Sequence, residues 1–458
     1  MPDARVPTEA ELDWITRRAV AEIIPYDEFV RALQSGRSLR LKMGFDPSAP
    51  DLTLGHAVGL RKLRQLQDLG HRVVIIVGDW TARIGDPSGV SKTRPMLTEE
   101  QVKANAETYL KQFFRIVDRE MTEVRWQSEW FDNFTLTNVV RLAAKFTVAQ
   151  MLERADFAER FATQKPISIH ELLYPLLQAY DSVAVKADVE FGGTDQKFNL
   201  MVGRELQPDF EQKPQIVYTV PILVGTDGDV KMSKSLGNYV AVEDPPNEMY
   251  GKLMSVPDKL IADYIELLTD VPDDEVAAIR ESIEKRTANP RDAKMRMARE
   301  IVAQFHGAEA AEAAEDAFVR TFSKGELPEK VPDWPLPFND ARAAWKDKKW
   351  PRIVLTGKAG ESGESSKAIW GVKGTLFDRE ETVDSIPDQL SDHEVVFSLA
   401  DILQSALGLS RSDAKRLMDQ GAIEVDGKRQ NQDWVRLRNG SIVRAGKHRF
   451  LRVVDADA

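Results

Sequence analysis

Leu39-Arg40-Leu41-Lys42-Met43-Gly44-Phe45 alternates apolar and polar residues with the period of a strand, and the next thirty residues decide the fold. Asp46-Pro47-Ser48-Ala49-Pro50-Asp51 is built of residues that resist regular structure. Thr53-Leu54-Gly55-His56 then opens an amphipathic helix that carries Leu60, Leu63, Leu66 and Leu69 and is closed by Gly70. Val73 to Val77 is an unbroken apolar run, the mark of a strand buried on both faces. Strand, helix and strand within about forty residues make a βαβ unit and predict a parallel sheet of the α/β class. Ligands of such sheets lie at the carboxyl ends of the strands. Here those ends carry Asp46 to His56 and Gly78 to Gly89. Ahead of this unit, residues up to about Ser35 read as a helical lead-in with Leu12, Ile15, Val20 and Ile23 as its apolar positions.

The glycine of Leu54-Gly55-His56 lets a flat base or sugar approach a helix N-terminus, where backbone N–H groups and His56 face phosphate oxygens. About 175 residues later comes Lys231-Met232-Ser233-Lys234-Ser235, bounded by Gly225-Thr226-Asp227-Gly228 and Gly237-Asn238. Two lysines three residues apart on a loop of small and polar residues suit a reaction in which pyrophosphate gains charge and departs. Either motif alone is ordinary. Together they rarely arise by chance.

The bulk properties narrow the class further. A chain of 458 residues predicts two to four domains, and its 42% hydrophobic content is that of a globular protein. No run of about eighteen apolar residues is present, so no membrane partner is expected. Met1-Pro2-Asp3-Ala4-Arg5 lacks the layout of a secretory signal. With no cysteine, disulfides, thiolate metal sites and cysteine nucleophiles are excluded, which fits a cytoplasmic protein. The six histidines form no HExxH-type pair, and no protein-held metal is expected. The net charge of −11 argues against general polyanion binding, but from Phe397 onward eleven basic residues face eight acidic ones. A basic tail domain can still grip nucleic acid locally.

Taken together, Gly44 to Ala49, Leu54-Gly55-His56, Ile84-Gly85-Asp86-Pro87-Ser88-Gly89, Leu177-Gln178-Ala179-Tyr180-Asp181, Gly192-Gly193-Thr194-Asp195-Gln196 and Lys231 to Ser235 resemble the class I aminoacyl-tRNA synthetases. Within them the chain is similar to the bacterial tyrosyl-tRNA synthetases, over roughly residues 35 to 325 and again over the last sixty. The resemblance implies a Rossmann-like catalytic domain over 1–243, interrupted at about 113–191 by a helical connective insertion that carries a homodimer interface. It implies an α-helical anticodon-stem domain over 244–324. Residues 325–395, marked as a stiff connector by Pro328, Pro332, Pro335 and Pro337, read as a linker or extension merging into the C-terminal module, with short strands near Arg352 to Leu355 and Ala368 to Val372 around a polar tip at Gly360 to Ser365. Residues 396–458 resemble an S4 RNA-binding domain of α+β class, with Asp426-Gly427 as a hairpin turn.

The implied reaction activates L-tyrosine with ATP and Mg2+ to tyrosyl-adenylate and pyrophosphate, then transfers tyrosine to the 3′ end of tRNA(Tyr). Carried onto this sequence, Ser48, Thr53, His56, Lys231 and Lys234 are the catalytic set. Gly55, His56, Gly193, Asp195, Lys231, Ser233 and Lys234 bind ATP. Asp46, Asp86, Tyr174, Gln178, Asp181 and Gln196 bind tyrosine, with Asp181 aimed at the phenol hydroxyl. Ser168 and Glu171 form a capping box for a helix that puts Tyr174, Gln178 and Asp181 on one face. Arg411, Lys415 and Arg416 contact RNA phosphates.

The chain departs from the family pattern in two ways. Many relatives have histidine at Thr53 and threonine at Ser48, and others place a second phenol-contacting tyrosine at Lys42. The second departure leaves Asp181 with more of the recognition. Two other functions compete: a small-molecule adenylyltransferase, which needs neither helical nor S4 module, and an RNA-binding protein descended from a synthetase, which needs no lysine loop.

Overall fold

The computed structural model describes residues 4–47, 51–85, 98–323, 331–346, 349–355, 370–376, 393–446 and 449–457. The chain divides into two compact units, Met1–Glu315 and Asp316–Ala458. The first is built on a six-stranded sheet of β1 (Glu22–Ile24), β2 (Arg40–Phe45), β3 (Arg72–Val77), β4 (Thr122–Trp126), β5 (Val189–Gly193) and β6 (Ile216–Val220). Their order is β1-β6-β5-β2-β3-β4, parallel throughout except for β1, which pairs antiparallel with β6.

The chain winds outward from β2 to β3 and β4, then returns to β5 on the other flank of β2. That reversal opens a crevice at the carboxyl ends of β2 and β5, where open α/β sheets bind ligands. The helix Leu54–Gln67 crosses from β2 to β3 and buries Leu54, Leu60, Leu63 and Leu66 completely. Strand β3 reads as expected, with Val73 to Val77 all buried.

Three elements differ from the reading of the sequence. Val20 and Ile23 were expected on a helical lead-in, but Glu22–Ile24 is the edge strand β1, in register with Val217 to Thr219. Strand β4 lies inside the segment expected to be helical; the insertion proper begins only after it, with helices Leu136–Ala143, Val148–Met151, Ala155–Ala162 and Ile169–Val185. A five-residue strand paired on one side only leaves too short a periodic signal to stand out between helices. The alternation in β2 also misleads. Lys42, on its polar phase, is fully buried.

After the sheet, helices Pro246–Ser255, Ile261–Leu268, Asp273–Glu284 and Pro290–His306 fall within the segment expected to be helical, the last capped by the Asn289 side chain. No helix among the described residues is long and apolar enough to cross a membrane.

In the second unit, residues expected as a stiff connector form regular structure. Strand β7 (Asp333–Leu336) pairs parallel with the last strand of the chain, and the helix Phe338–Lys346 comes directly after it. Hairpin β8 (Lys349–Leu355) and β9 (Trp370–Leu376) agrees with the strands read there, while its polar tip lies outside the described residues. Strand β10 (Glu394–Ser398) pairs with β13 (Trp434–Arg438). β11 (Ile423–Val425), β12 (Lys428–Arg429), β14 (Ile442–Ala445) and β15 (Arg449–Asp455) join β7 in the order β12-β11-β14-β15-β7. Asp426 and Gly427 turn β11 into β12 with φ of 49° and 77°, as the expected hairpin turn requires. Leu336, Phe338 and Ala341 share one core with Val395, Phe397, Leu403, Ile423 and Val453.

Prolines at a sheet edge lose no ladder bond, so a proline-rich stretch can still be core structure. Phe338→Ala will therefore destabilise the second unit by about 3–5 kcal/mol, as for other buried aromatics. A urea titration of the full chain, monitored by near-ultraviolet circular dichroism, tests this; a change near zero would restore the linker reading.

Candidate active site

Tyr174, Gln178 and Asp181 lie along the helix Ile169–Val185, whose N-terminus carries the Ser168–Glu171 capping box. Asp181 is 2% exposed, and its two oxygens accept from Gln127 Nε2 at 2.8 Å and Trp130 Nε1 at 3.2 Å. Burial pushes its carboxyl up to about 7, against the opposing pull of Lys42, Gln127 and Trp130. Tyr174 donates its hydroxyl to Asp46 Oδ2 at 2.8 Å, just beyond β2. The other Asp46 oxygen accepts from Thr81 Oγ1 at 2.6 Å, and Thr81 N in turn donates to Gln127 Oε1 at 3.0 Å. One polar network thus joins the ends of β2, β3 and β4 to the helix.

Gly78 is required where this network crosses β3. A Cβ there would collide with Asp46 Oδ1 and Thr81 Oγ1.

Beneath Gln178 lies a fully buried charge pair. Lys42 and Glu190 are register partners on β2 and β5, 0% and 1% exposed along their side chains, with Nζ 2.9 Å from Oε1. Lys42 Nζ also donates to Ser182 Oγ and to the Gln178 carbonyl, both at 2.8 Å. Glu190 accepts further from Gln178 Nε2, Ser182 Oγ and Gln215 Nε2. All three Nζ protons of Lys42 are matched by these partners, so the lysine supports the pocket from below instead of entering it.

The residues expected to meet the nucleotide are assembled at the start of the helix Leu54–Gln67. Thr53 is its N-cap and is 2% exposed; His56 N bonds to the threonine side chain, while Thr53 N donates back to His56 Nδ1 at 3.2 Å. A backbone N–H can only donate, so Nδ1 is the acceptor and the neutral ring carries its proton on Nε2. Burial and the nearby Lys234 push His56 down to about 4, which keeps it neutral. Thr53 thereby orients His56 from a buried position. Met232 of the lysine loop lies against Gly55, with its Cβ 3.8 Å from where a glycine Cβ would be.

Lys231 and Lys234 dock on opposite walls. Lys231 Nζ pairs with Asp195 Oδ2 at 3.0 Å, beyond β5. Lys234 Nζ donates to Tyr109 Oη at 3.2 Å and sits 4.8 Å from that ring's centroid. Burial pushes Lys234 down to about 8, opposed by Asp51. Asn238 pins the loop: its Oδ1 accepts from Ser233 N at 2.8 Å, and its Nδ2 donates to Asp227 Oδ2 and the Lys231 carbonyl. Gly193 bends closely over Asp195, leaving 2.7 Å between a built Cβ and Oδ1. Gln196 accepts from Asn199 Nδ2 at 2.9 Å.

The structure therefore brings together Asp46, Tyr174, Gln178, Asp181 and Gln196 on one side, and Thr53, Gly55, His56, Gly193, Asp195, Lys231, Ser233 and Lys234 on the other. Ser48 and Asp86 lie outside the described residues. Sequence reading named Gly78 and Asn238 only as bounds of a strand end and of the lysine loop, and passed over Thr81, Tyr109, Gln127, Trp130, Glu190 and Asn199. Thr81 was within reach, since it comes just after the end of a recognised strand; the others belong to elements with no chemical pattern of their own. Among the described residues no group of three or more His, Cys, Asp or Glu could hold a metal ion.

In the second unit Arg411 pairs with Asp401 at 2.5 Å and Arg416 with Asp413 at 2.9 Å, while Lys415 is exposed on the same helix, Arg411–Asp419.

The profile of the family described as tRNA synthetases class I (W and Y) matches residues 34–323. Among curated proteins, the tyrosine–tRNA ligase of Dehalococcoides mccartyi strain CBDB1 is 51% identical over 98% of this chain and 99% of its own. That of Thermotoga maritima is 45% identical over 96% of both chains. Among solved structures, a C-terminally truncated mitochondrial tyrosyl-tRNA synthetase of Aspergillus nidulans aligns with a TM-score of 0.57 at 21% identity, over 69% of this chain and 95% of that one. The Archaeoglobus fulgidus tyrosyl-tRNA synthetase complexed with L-tyrosine gives 0.54 at 23%, over 67% and 99%. At these identities the structural matches speak for the fold.

The Lys42–Glu190 pair yields a stability prediction. Removing one member of a buried pair strands the other charge, and Lys42→Met will cost about 3–5 kcal/mol. Adding Glu190→Gln to it will recover more than half of that loss, read as denaturant midpoints at constant m-value. Equal losses in the single and double variants would show that packing, not charge, dominates there.

Proposed function

The chain belongs to the class I tRNA synthetases (W and Y) and ligates tyrosine to its tRNA, and from that premise we propose which residues carry each step. Tyrosine binds with its hydroxyl donating to Asp181 and its ammonium group on Tyr174, Gln178, Gln196 and Asp86. Asp46 holds the Tyr174 hydroxyl and stands where the adenylate forms. ATP enters as its magnesium complex, the ion travelling with the substrate. Gly55 and His56 lie along the nucleotide, Gly193 and Asp195 approach its adenosine, and Ser48 and Ser233 bond phosphate oxygens.

A tyrosine carboxylate oxygen attacks the α-phosphorus in line. The new P–O bond forms as the bond to the bridging oxygen breaks, and pyrophosphate leaves with both electrons of that bond. Lys231 and Lys234 follow the negative charge outward, which stabilises the transition state more than the ground state. Thr53 acts through His56, holding the Nε2–H tautomer. In the second step a ribose hydroxyl at the tRNA(Tyr) 3′ end attacks the acyl carbon, AMP departs, and the hydroxyl proton leaves with the phosphate product or solvent. Arg411, Lys415 and Arg416 meet RNA phosphates, the two arginines exchanging their carboxylate partners for them. The protein works in the cytoplasm.

One observation carries the amino-acid assignment: Asp181 is a buried carboxylate held on two N–H donors, and a phenol hydroxyl completes its set. Pyrophosphate exchange with tyrosine, phenylalanine and tryptophan tests it. Exchange is expected with tyrosine alone, and Asp181→Ala should lower kcat/KM for tyrosine by about 10- to 150-fold, the worth of a hydrogen bond to a charged group. Exchange with phenylalanine equal to that with tyrosine would sink the assignment.

The pH dependence comes from two groups. Asp181 must be ionised to accept the phenol proton, so kcat/KM falls as pH drops below about 7. Lys234 must be charged, so it falls again as pH rises through about 8. Asp181→Asn should abolish the acid limb and leave the alkaline one. Persistence of the acid limb would assign it to another group.

The homodimer is supported by apolar side chains exposed within one stretch: Leu136 79%, Val140 58%, Val148 62%, Phe161 66% and Ile169 81%. Large apolar side chains exposed along one stretch of helices suit an interaction surface, and a second copy of this chain is its proposed occupant. Phe161→Asp should yield the monomer mass by light scattering at micromolar concentration. A wild-type protein that is itself monomeric under those conditions would refute the dimer.

A further inference from the structure

A directed hydrogen-bond chain runs below the pocket through side chains from four separate elements. Arg154, 5% exposed at the start of the helix Ala155–Ala162, donates through Nη1 to Asn199 Oδ1 at 3.2 Å. Asn199 is 1% exposed and donates from the single nitrogen Nδ2 to Gln178 Oε1 at 3.1 Å and to Gln196 Oε1 at 2.9 Å. Gln178 Nε2 donates to Glu190 Oε1 at 3.1 Å, the oxygen that Lys42 Nζ holds at 2.9 Å.

The ends of this chain force its direction. A guanidinium only donates and a carboxylate only accepts. Arg154 therefore turns the Asn199 amide so that its oxygen faces the guanidinium and its nitrogen faces the glutamines. Glu190 turns Gln178 so that its nitrogen is consumed and its oxygen remains. The second N–H of Asn199 then selects the oxygen of Gln196.

We infer that Asn199, with Arg154 behind it, is a positioning residue for the ammonium group of the amino acid, because it makes Gln178 and Gln196 present carbonyl oxygens in place of amide nitrogens. A carbonyl oxygen carries two lone pairs, and Asn199 engages one on each glutamine. Two such oxygens held on one nitrogen converge on a small volume with partial negative charge, which suits a cation. A glutamine turned the other way would aim N–H dipoles at the ammonium group and repel it. The inference rests on the assignment of Gln178 and Gln196 to that group made above.

Two half-substrates separate this role from a merely structural one. Tyramine keeps the phenol and the ammonium group but lacks the carboxylate. 3-(4-Hydroxyphenyl)propionate keeps the phenol and the carboxylate but lacks the ammonium group. Both are measured as inhibitors of tyrosine-dependent pyrophosphate exchange by the full-length protein. Asn199→Ala should raise the tyrosine KM and the tyramine Ki about 10-fold or more, and leave the propionate Ki within about twofold. Asn199→Leu keeps the volume and should do the same if the smaller side chain leaves the fold unstable.

A rise of equal size for both analogues would overturn the inference, since the residue would then only hold the pocket's shape. No change for either would overturn it too. Gln178→Ala is run in parallel to test the premise. If tyramine binding is untouched in that variant, the ammonium assignment itself fails, independently of what Asn199 does.

Discussion

A buried ion pair between two neighbouring strands sets the polarity of the site proposed to bind the amino acid. Lys42 and Glu190 face each other across β2 and β5, at the point where the sheet changes winding direction. Such pairs add little net stability, because desolvation offsets most of the attraction, so their value lies in what they orient. Glu190 takes the nitrogen of Gln178 and thereby fixes which way that amide points. Lys42 and Glu190 also act in opposite senses on Asp181, the cation stabilising its ionised form and the anion opposing it. Removing either charge would disturb both Gln178 and Asp181, the residues proposed for the ammonium and phenol ends of the amino acid.

The nucleotide side obeys a different logic. Its parts are held by local contacts at strand and helix ends: a capping box that fixes His56, and an asparagine that ties Ser233, Asp227 and Lys231 together. The two loop lysines rest on partners of different kinds, a carboxylate for Lys231 and a phenol for Lys234. Phosphates must displace both contacts. The partial burial of Lys234 strengthens its attraction to whatever anion it next meets.

The reaction itself was legible in the sequence because its chemistry sits in short contiguous runs. Leu54-Gly55-His56, Gly192 to Gln196 and Lys231 to Ser235 each lie at a strand or helix end, where a few residues must be of fixed type for a backbone or a charge to reach the nucleotide. The βαβ unit of residues 39–77 was equally plain, since helix and buried-strand periods alternate without interruption. Short edge strands were not: Glu22–Ile24 and Thr122–Trp126 carry too few residues for a period, and their pairing is decided by the strands beside them. The proline-rich stretch from Asp333 misled for a related reason, as only the partner strand β15 turns it from connector into sheet.

What the sequence determined by itself is therefore the set of local devices: the strand–helix–strand start, the caps, the I′-type turn at Asp426-Gly427 and the motifs that bind nucleotide. What only the tertiary structure decided is how residues far apart in the chain share protons and charge. Lys42 read as a polar face of a strand and a puzzling departure from its relatives; the fold set it 148 positions from its counter-ion Glu190 in sequence and 2.9 Å in space. Asn199 and Gln127 carried no signal, because an amide has no role until a donor on one side and an acceptor on the other tell it which way to point. Hydrogen-bond direction is a property of the assembled network, and no run of residues encodes it locally.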